Sequence, residues 1–298
     1  MCGIVGLFLK DPELEPRLGA MLTDMLVTMT DRGPDSAGIA IYSAAGEGRA
    51  KITVQSAHPE ADFKALDEDL SLAIGSPVRM VVKSTHAVLE LPFAQLEAAR
   101  SALSQLRPDV KVMSAGESIE IFKEVGLPKD VAARFGVSKM AGTHGIGHTR
   151  MATESAVTTM GAHPFSTGLD QCLVHNGSLS NHNSVRRDLV RHGMTFETDN
   201  DTEVAAAFIS HKLHEGDTLG HAMQATLTDL DGFFTFVVGT RNGFGVVRDP
   251  IACKPAVMAE TDQYVAFGSE YRALVNLPGI ETARVWEPEP ATVYFWER

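Results

Sequence analysis

The chain has 298 residues, enough for one large domain or a domain with a sizeable insertion. Its 44% hydrophobic and 21% charged content is that of a globular protein, and no apolar run is long enough to span a membrane. A net charge of −12 argues against nucleic acid as a partner, and three widely spaced cysteines make neither a disulfide framework nor a zinc pattern. A basic leader followed by an apolar run is missing, so no secretory signal is expected and the cytoplasm is the expected compartment.

Residues 3–9 (GIVGLFL) predict a buried strand, closed by Asp11-Pro12. Leu14, Leu18, Met21, Leu22, Met25, Leu26 and Met29 fall at helical spacing over 14–29, with the methionines as core filling. A turn at Asp31–Ser36 ends that helix. Gly38–Tyr42 and 50–54 follow as the expected strands of a hairpin. The stretch 57–140 changes character. Its pattern predicts helices over 60–70, 92–106 and 128–135 and strands over 78–90, 109–113 and 117–123, with no catalytic constellation. We expect it to be a small inserted α/β lobe.

From 141 onward Gly, His and Asn punctuate the chain. Strands are expected at 145–150 and 171–175, and helices at 181–192, 201–213 and 219–229. Asp201 and Thr202 are the expected caps of the second helix. Val- and Phe-rich strands follow at 233–239, 244–248, 255–260 and 263–268. Strands on both sides of a helical block imply two packed sheets with helices outside.

Four features carry chemistry. Cys2 is followed directly by Gly3-Ile4-Val5-Gly6. Once Met1 is removed, one residue bears both a thiol nucleophile and an α-amine whose reference pKa is about 7.7–8.0, able to serve as base near neutral pH. The plain alternative is a thiol at the start of a strand. Asn176-Gly177, after the apolar run from Cys172, offers a side-chain amide and an unobstructed backbone N–H, the makings of an oxyanion hole; an ordinary Asn-Gly turn is the alternative. Arg150 closes Gly147-His148-Thr149-Arg150, where a guanidinium suits an α-carboxylate or simply faces solvent. Asp201 suits an α-ammonium group or a helix cap. His144 and His148 with His163 and His175 suggest a metal, but no acidic or cysteine ligand completes a set, so neither metal nor cofactor is expected.

Together these motifs resemble the class II glutamine amidotransferases, the N-terminal-nucleophile glutaminases. The resemblance covers 2–54 and 141–275 and rests on motifs in the family's order: Cys2–Gly6, Arg32–Ser36, Gly147–Thr153, Ala162–Phe165, His175–Gly177, Asp201–Val204, Arg248–Pro250 and Gly268–Glu270. It implies an α+β fold, a four-layer αββα sandwich (the Ntn-hydrolase fold) spanning 2–298, with 57–140 inserted. It implies Cys2 as nucleophile with its own α-amine as base, and Asn176 and Gly177 as oxyanion hole. Arg150 would hold the glutamine carboxylate and Asp201 the amino group. Arg32 would order the site, and Met151 and His175 would sit at the glutamine pocket. Met151 stands where several relatives carry a bulky aromatic. The chain ends where a glutaminase domain would end, so ammonia is expected to go to synthase subunits of a complex of the glutamate synthase or N-methylglutamate synthase type. A non-catalytic subunit binding glutamine or a γ-glutamyl amide, and an amidase for γ-glutamyl-methylamide, are the competing readings.

Overall fold

The computed structural model describes residues 2–152 and 156–298. The first half contributes strands β1 (Gly3–Leu9), β2 (Ser36–Tyr42), β3 (Arg49–Gln55), β4 (Arg79–Lys83), β5 (His86–Pro92), β6 (Lys111–Gly116), β7 (Ile119–Val125) and β8 (His144–Arg150). The second half adds β9 (Phe165–Gly168), β10 (Gln171–Leu179), β11 (Gly232–Gly239), β12 (Gly243–Arg248), β13 (Val257–Glu260), β14 (Tyr264–Gly268), β15 (Arg284–Trp286) and β16 (Thr292–Glu297). The helices are α1 (Leu18–Val27), α2 (Pro59–Asp62), α3 (Leu66–Ile74), α4 (Leu96–Leu106), α5 (Pro128–Phe135), α6 (His182–Arg191), α7 (Asp201–His214) and α8 (Leu219–Asp229).

Two antiparallel sheets face each other. One runs β15-β13-β14-β1-β8-β2-β7 and the other β16-β12-β11-β10-β9. β1 shows why its sequence is apolar throughout. Ile4 and Phe8 point between the sheets, against Val174, Val237 and Phe244. Val5, Leu7 and Leu9 point outward, under Leu22, Met25 and Leu26 of α1. A strand covered on both faces loses the polar alternation of a half-exposed one. Gly6 fits this packing closely: a Cβ there would meet the Phe244 ring at 2.6 Å. α1 and α5 cover the outside of the first sheet, while α7 and α8 cover the second through Val204, Phe208 and Met223 on Leu173, Phe236 and Val238. The order of layers is therefore αββα, the Ntn-hydrolase architecture.

A third sheet, β4-β5-β3-β6, carries α3 and α4 on a core of its own that includes Ile52, Leu70, Leu89, Leu91 and Leu103. Within 57–140, residues 59–116 build this sheet and its helices, whereas β7 and α5 return to the first sheet.

The expected hairpin of Gly38–Tyr42 with 50–54 does not form. β2 is flanked by β8 and β7, and β3 by β5 and β6, so each run finds both partners elsewhere. The single strand expected at 78–90 is two strands, because Ser84 turns the chain at φ 57° without a glycine to announce it. β15 and β16 were not foreseen.

Lys123 of β7 is a buried cation at the seam between the first sheet and the 160–164 segment. Its Nζ donates to the carbonyls of Met160 (3.2 Å), Ala162 (2.8 Å) and Pro164 (3.2 Å) and lies over the Phe165 ring. Burial pushes its pKa down to about 7, with Glu203 and Glu197 opposing. Three acceptors match the three N–H bonds of an ammonium, so removing them leaves three carbonyls without a donor. Lys123→Met is expected to cost about 1–3 kcal/mol, seen as a lower thermal midpoint.

Candidate active site

The start of β1 is fixed from three sides. Ile4 N–H donates to Ser269 Oγ and Ser269 N–H to Ile4 O, both at 2.9 Å. Gly3 lies opposite Thr149 of β8, and a Cβ on it would meet Thr149 Oγ1 at 2.7 Å and Met29 Cβ at 2.8 Å. Cys2 thereby emerges half-buried at the strand's end.

Two side chains converge on it. Arg32 Nε and Asn176 Nδ2 donate to the Cys2 carbonyl at 3.0 and 3.2 Å. Arg32 is itself buried and pairs with Glu270 at 2.7 Å. Hydrogen bonding from Arg32, with Arg272 adding its charge, holds the Glu270 carboxyl below the usual range. The Arg32–Ser36 turn also anchors the end of β8: Asp35 N–H donates to Arg150 O at 3.1 Å and its carboxylate accepts from Ala152 N–H at 2.8 Å. Arg150 follows Thr149, the partner of Gly3, and is buried. Its Nη1 lies 3.4 Å from Ala156 O. Met151 beside it is 37% exposed. Thr153 of the same motif, like Met1, lies outside the described residues.

Asn176-Gly177 is not a turn, nor the end of its strand; β10 runs on to Leu179 and pairs with β11 throughout. Gly177 has φ 150°, and a Cβ there would come within 2.0 Å of Phe233 O. That crowding admits only glycine, because any side chain would part β10 from β11.

Asp201 opens α7, but the cap is Asn200, whose side chain accepts from Thr202 N–H at 2.8 Å. Asp201 instead reaches back to β10, accepting from Leu179 N–H at 2.9 Å, with His175 Nδ1 at 3.7 Å. Burial alone would raise its pKa, but the neighbouring His175 ring and the Leu179 N–H outweigh it and bring the group down to about 2. Asp201 is thus held as an anion, one oxygen on Leu179 N–H and the other 3.5 Å from Thr202 Oγ1. His175 is buried beneath it against Thr202.

The other cysteines have different surroundings. Cys172 is fully buried against the Tyr42 hydroxyl, and burial pushes its thiol up to about 12; Cys253 is exposed. His144 stacks on Tyr42 and His148 on His163. Among the described residues, no group of three or more His, Cys, Asp or Glu is arranged to hold a metal, and no helix is long and apolar enough to cross a membrane. A cavity of about 550 Å³ lies away from Cys2, lined among others by Ser114, Lys123, Phe165, Gln171 and Glu203. None of Cys2, Arg32, Arg150, Asn176 or Asp201 lines it, and sequence patterning gave no sign of it.

A glutamine amidotransferase domain model matches residues 148–276. The chain is 71% identical over 297 residues to the glutamine amidotransferase-like protein GlxB of Rhizobium meliloti (strain 1021), covering 100% of this chain and 98% of that protein. It is 35% identical to a putative glutamine amidotransferase of Methanothermobacter thermautotrophicus, with 100% of both covered. The glutamine phosphoribosylpyrophosphate amidotransferase of B. subtilis shares the fold, with a TM-score of 0.63 at 20% identity over 99% of this chain and 47% of that one. The chain thus spans about half the length of that solved structure. Fold and matches together define an Ntn-type amidotransferase. The chain belongs to the class II glutamine amidotransferase family.

Proposed function

We propose that this chain hydrolyses the side-chain amide of L-glutamine through Cys2 and supplies the ammonia to a separate synthase subunit. The observation that carries the reading is the Asn176 amide 3.2 Å from the Cys2 carbonyl, across 174 residues of sequence. It brings Cys2 and an amide donor together, and removal of Met1 would add a terminal amine to the same residue.

The α-amine of Cys2 takes the thiol proton as sulfur attacks the amide carbon of glutamine. The carbonyl oxygen becomes an oxyanion between Asn176 Nδ2 and the Gly177 N–H. The C–N bond then breaks, the α-ammonium returns its proton to the leaving nitrogen, and ammonia departs. Water, deprotonated by the same amine, cleaves the γ-glutamyl thioester to glutamate and frees the thiol. Arg150 holds the substrate carboxylate and Asp201 its ammonium. Arg32 keeps the Cys2 backbone in place, while Met151 borders the pocket mouth and His175 supports Asp201 from below.

The test is release of ammonia and glutamate from L-glutamine by the purified chain, alongside methylamine release from γ-glutamyl-methylamide. Faster turnover of the methylamide would replace the glutaminase reading with an amidase; binding of glutamine without turnover of either would make this a sensing subunit. Asp201→Asn is expected to raise KM for glutamine about 10–100-fold, because a charge-assisted bond contributes about 1.5–3 kcal/mol. The amide oxygen can still accept from Leu179 N–H, but the stability that the ionised carboxylate contributes at neutral pH is lost, so a moderate fall in thermal midpoint should accompany the rise in KM. For the acceptor, we propose synthase subunits of the glutamate synthase or N-methylglutamate synthase type. Copurification of the native chain alone would count against them.

A further inference from the structure

Behind the site lies a buried polar network formed by His148, His163, His175 and Thr202. His148 Nε2 lies 3.1 Å from the backbone oxygen of His175. A carbonyl only accepts, so Nε2 carries the proton, and the buried Nδ1 has no hydrogen-bond partner among the described residues. His163 stacks on His148 with ring centroids 4.0 Å apart. Burial pushes His148 down to about 3 and His163 well below its ordinary value, so both rings are neutral at pH 7. Thr202 Oγ1 lies 2.8 Å from His163 Nε2 and 3.1 Å from His175 Nδ1. The same hydroxyl also lies 3.5 Å from Asp201 Oδ1, so its single proton is shared among two rings and a carboxylate.

This network bonds to the two arms of the site separately. The His148 bond ends on the backbone of His175, whose neighbour Asn176 reaches Cys2. Thr202 reaches the other arm directly, its hydroxyl 3.5 Å from Asp201 Oδ1, and through the His175 ring, which stands 3.7 Å from Asp201. A misplacement of about 1 Å in such a group can cost roughly a hundredfold in rate. Resting on the glutaminase reading above, we infer that His148 and Thr202 are positioning residues: His148 sets the Asn176 amide for the oxyanion, and Thr202 sets the Asp201 carboxylate for the substrate ammonium.

The two arms separate in kinetics. His148→Phe keeps the ring stack but removes the donor; kcat is expected to fall about tenfold with KM nearly unchanged, and His148→Gln, which returns an N–H, to recover most of it. Thr202→Val keeps the shape and removes the hydroxyl; KM is expected to rise about tenfold with kcat nearly unchanged, and Thr202→Ser to recover it. Thermal midpoints show which variants fold, and Thr202→Ala replaces the valine variant if that one does not. Glutamine binding is measured by calorimetry in the Cys2→Ala background, where turnover is not needed. There Thr202→Val should weaken binding about tenfold and His148→Phe should not. Equal losses of kcat and KM in both variants, tracking the fall in midpoint, would reduce the network to a packing role. Folded variants with wild-type kinetics and binding would refute it outright. A wild type that binds glutamine but never turns it over would overturn the glutaminase reading, and the calorimetric contrast would still decide the Thr202 arm.

Discussion

Cys2→Ala is expected to reduce glutamine hydrolysis by roughly 10⁴-fold or more, the scale on which removing a nucleophile disables a covalent mechanism. The variant should otherwise resemble the wild type. Arg32 and Asn176 both bond the Cys2 backbone oxygen rather than its side chain, so both anchors survive the substitution. Cys2 is half-buried and packs no large side chain into the core, so the thermal midpoint should stay close to the wild-type value. Glutamine should still bind, because Arg150 and Asp201 are untouched. A form that keeps Met1 should be nearly as inactive despite an intact thiol, since the amine would then sit one residue away from the sulfur. Intact mass identifies that form, and a discontinuous ammonia assay reads all three. Residual activity above a tenth of wild type in pure Cys2→Ala would exclude the thiol as nucleophile.

Much of this arrangement was legible because it rests on local patterning. β1 is continuously apolar because it is covered on both faces, and α1 shows its buried stripe at helical spacing. Of the residues that the ordered motifs singled out, Arg32 and Asn176 both bond the Cys2 carbonyl. What stayed hidden depends on long-range pairing. Ser36–Tyr42 and Arg49–Gln55 look like neighbours in a hairpin, yet they part into different sheets because each has two better partners far along the chain. Asn176-Gly177 carries the signature of a turn, and only the pairing with β11 shows it to be inside a strand. Asp201 looks like a cap, but Asn200 takes that role and leaves the carboxylate to accept from Leu179 N–H of β10. The Lys123 cradle and the Thr202 hub combine residues from separate elements that no spacing rule connects.

Stability should fall steeply as pH drops from 6.5 toward 4.5, and the buried histidines are the cause. Burial pushes His86 down to about 4, His144 and His148 to about 3, and His163 well below the ordinary value. In the unfolded chain each titrates near 6.5. Below that pH the unfolded state holds more protons than the native state, so unfolding free energy decreases as pH falls, approaching roughly 1.4 kcal/mol per pH unit for each histidine. The loss levels off only below the folded values. Asp201 has the same sign but a lower window: with its folded pKa near 2, its contribution is complete above about 4 and is lost on going down toward 2. The decline between 6.5 and 4.5 therefore belongs to the imidazoles. His86 gives the cleanest control. Its ring lies against Phe122 and Phe135, its Nε2 has no hydrogen-bond partner among the described residues and its Nδ1 lies 3.1 Å from Thr85 Oγ1, so His86→Phe removes the titrating group and loses that one contact. That variant should unfold with about one fewer proton taken up and a correspondingly shallower slope. Chemical denaturation at half-unit pH steps reads both slopes. A flat stability profile through this range, or parallel slopes for the two proteins, would mean that the histidines are protonated in the native state and that burial does not hold them neutral.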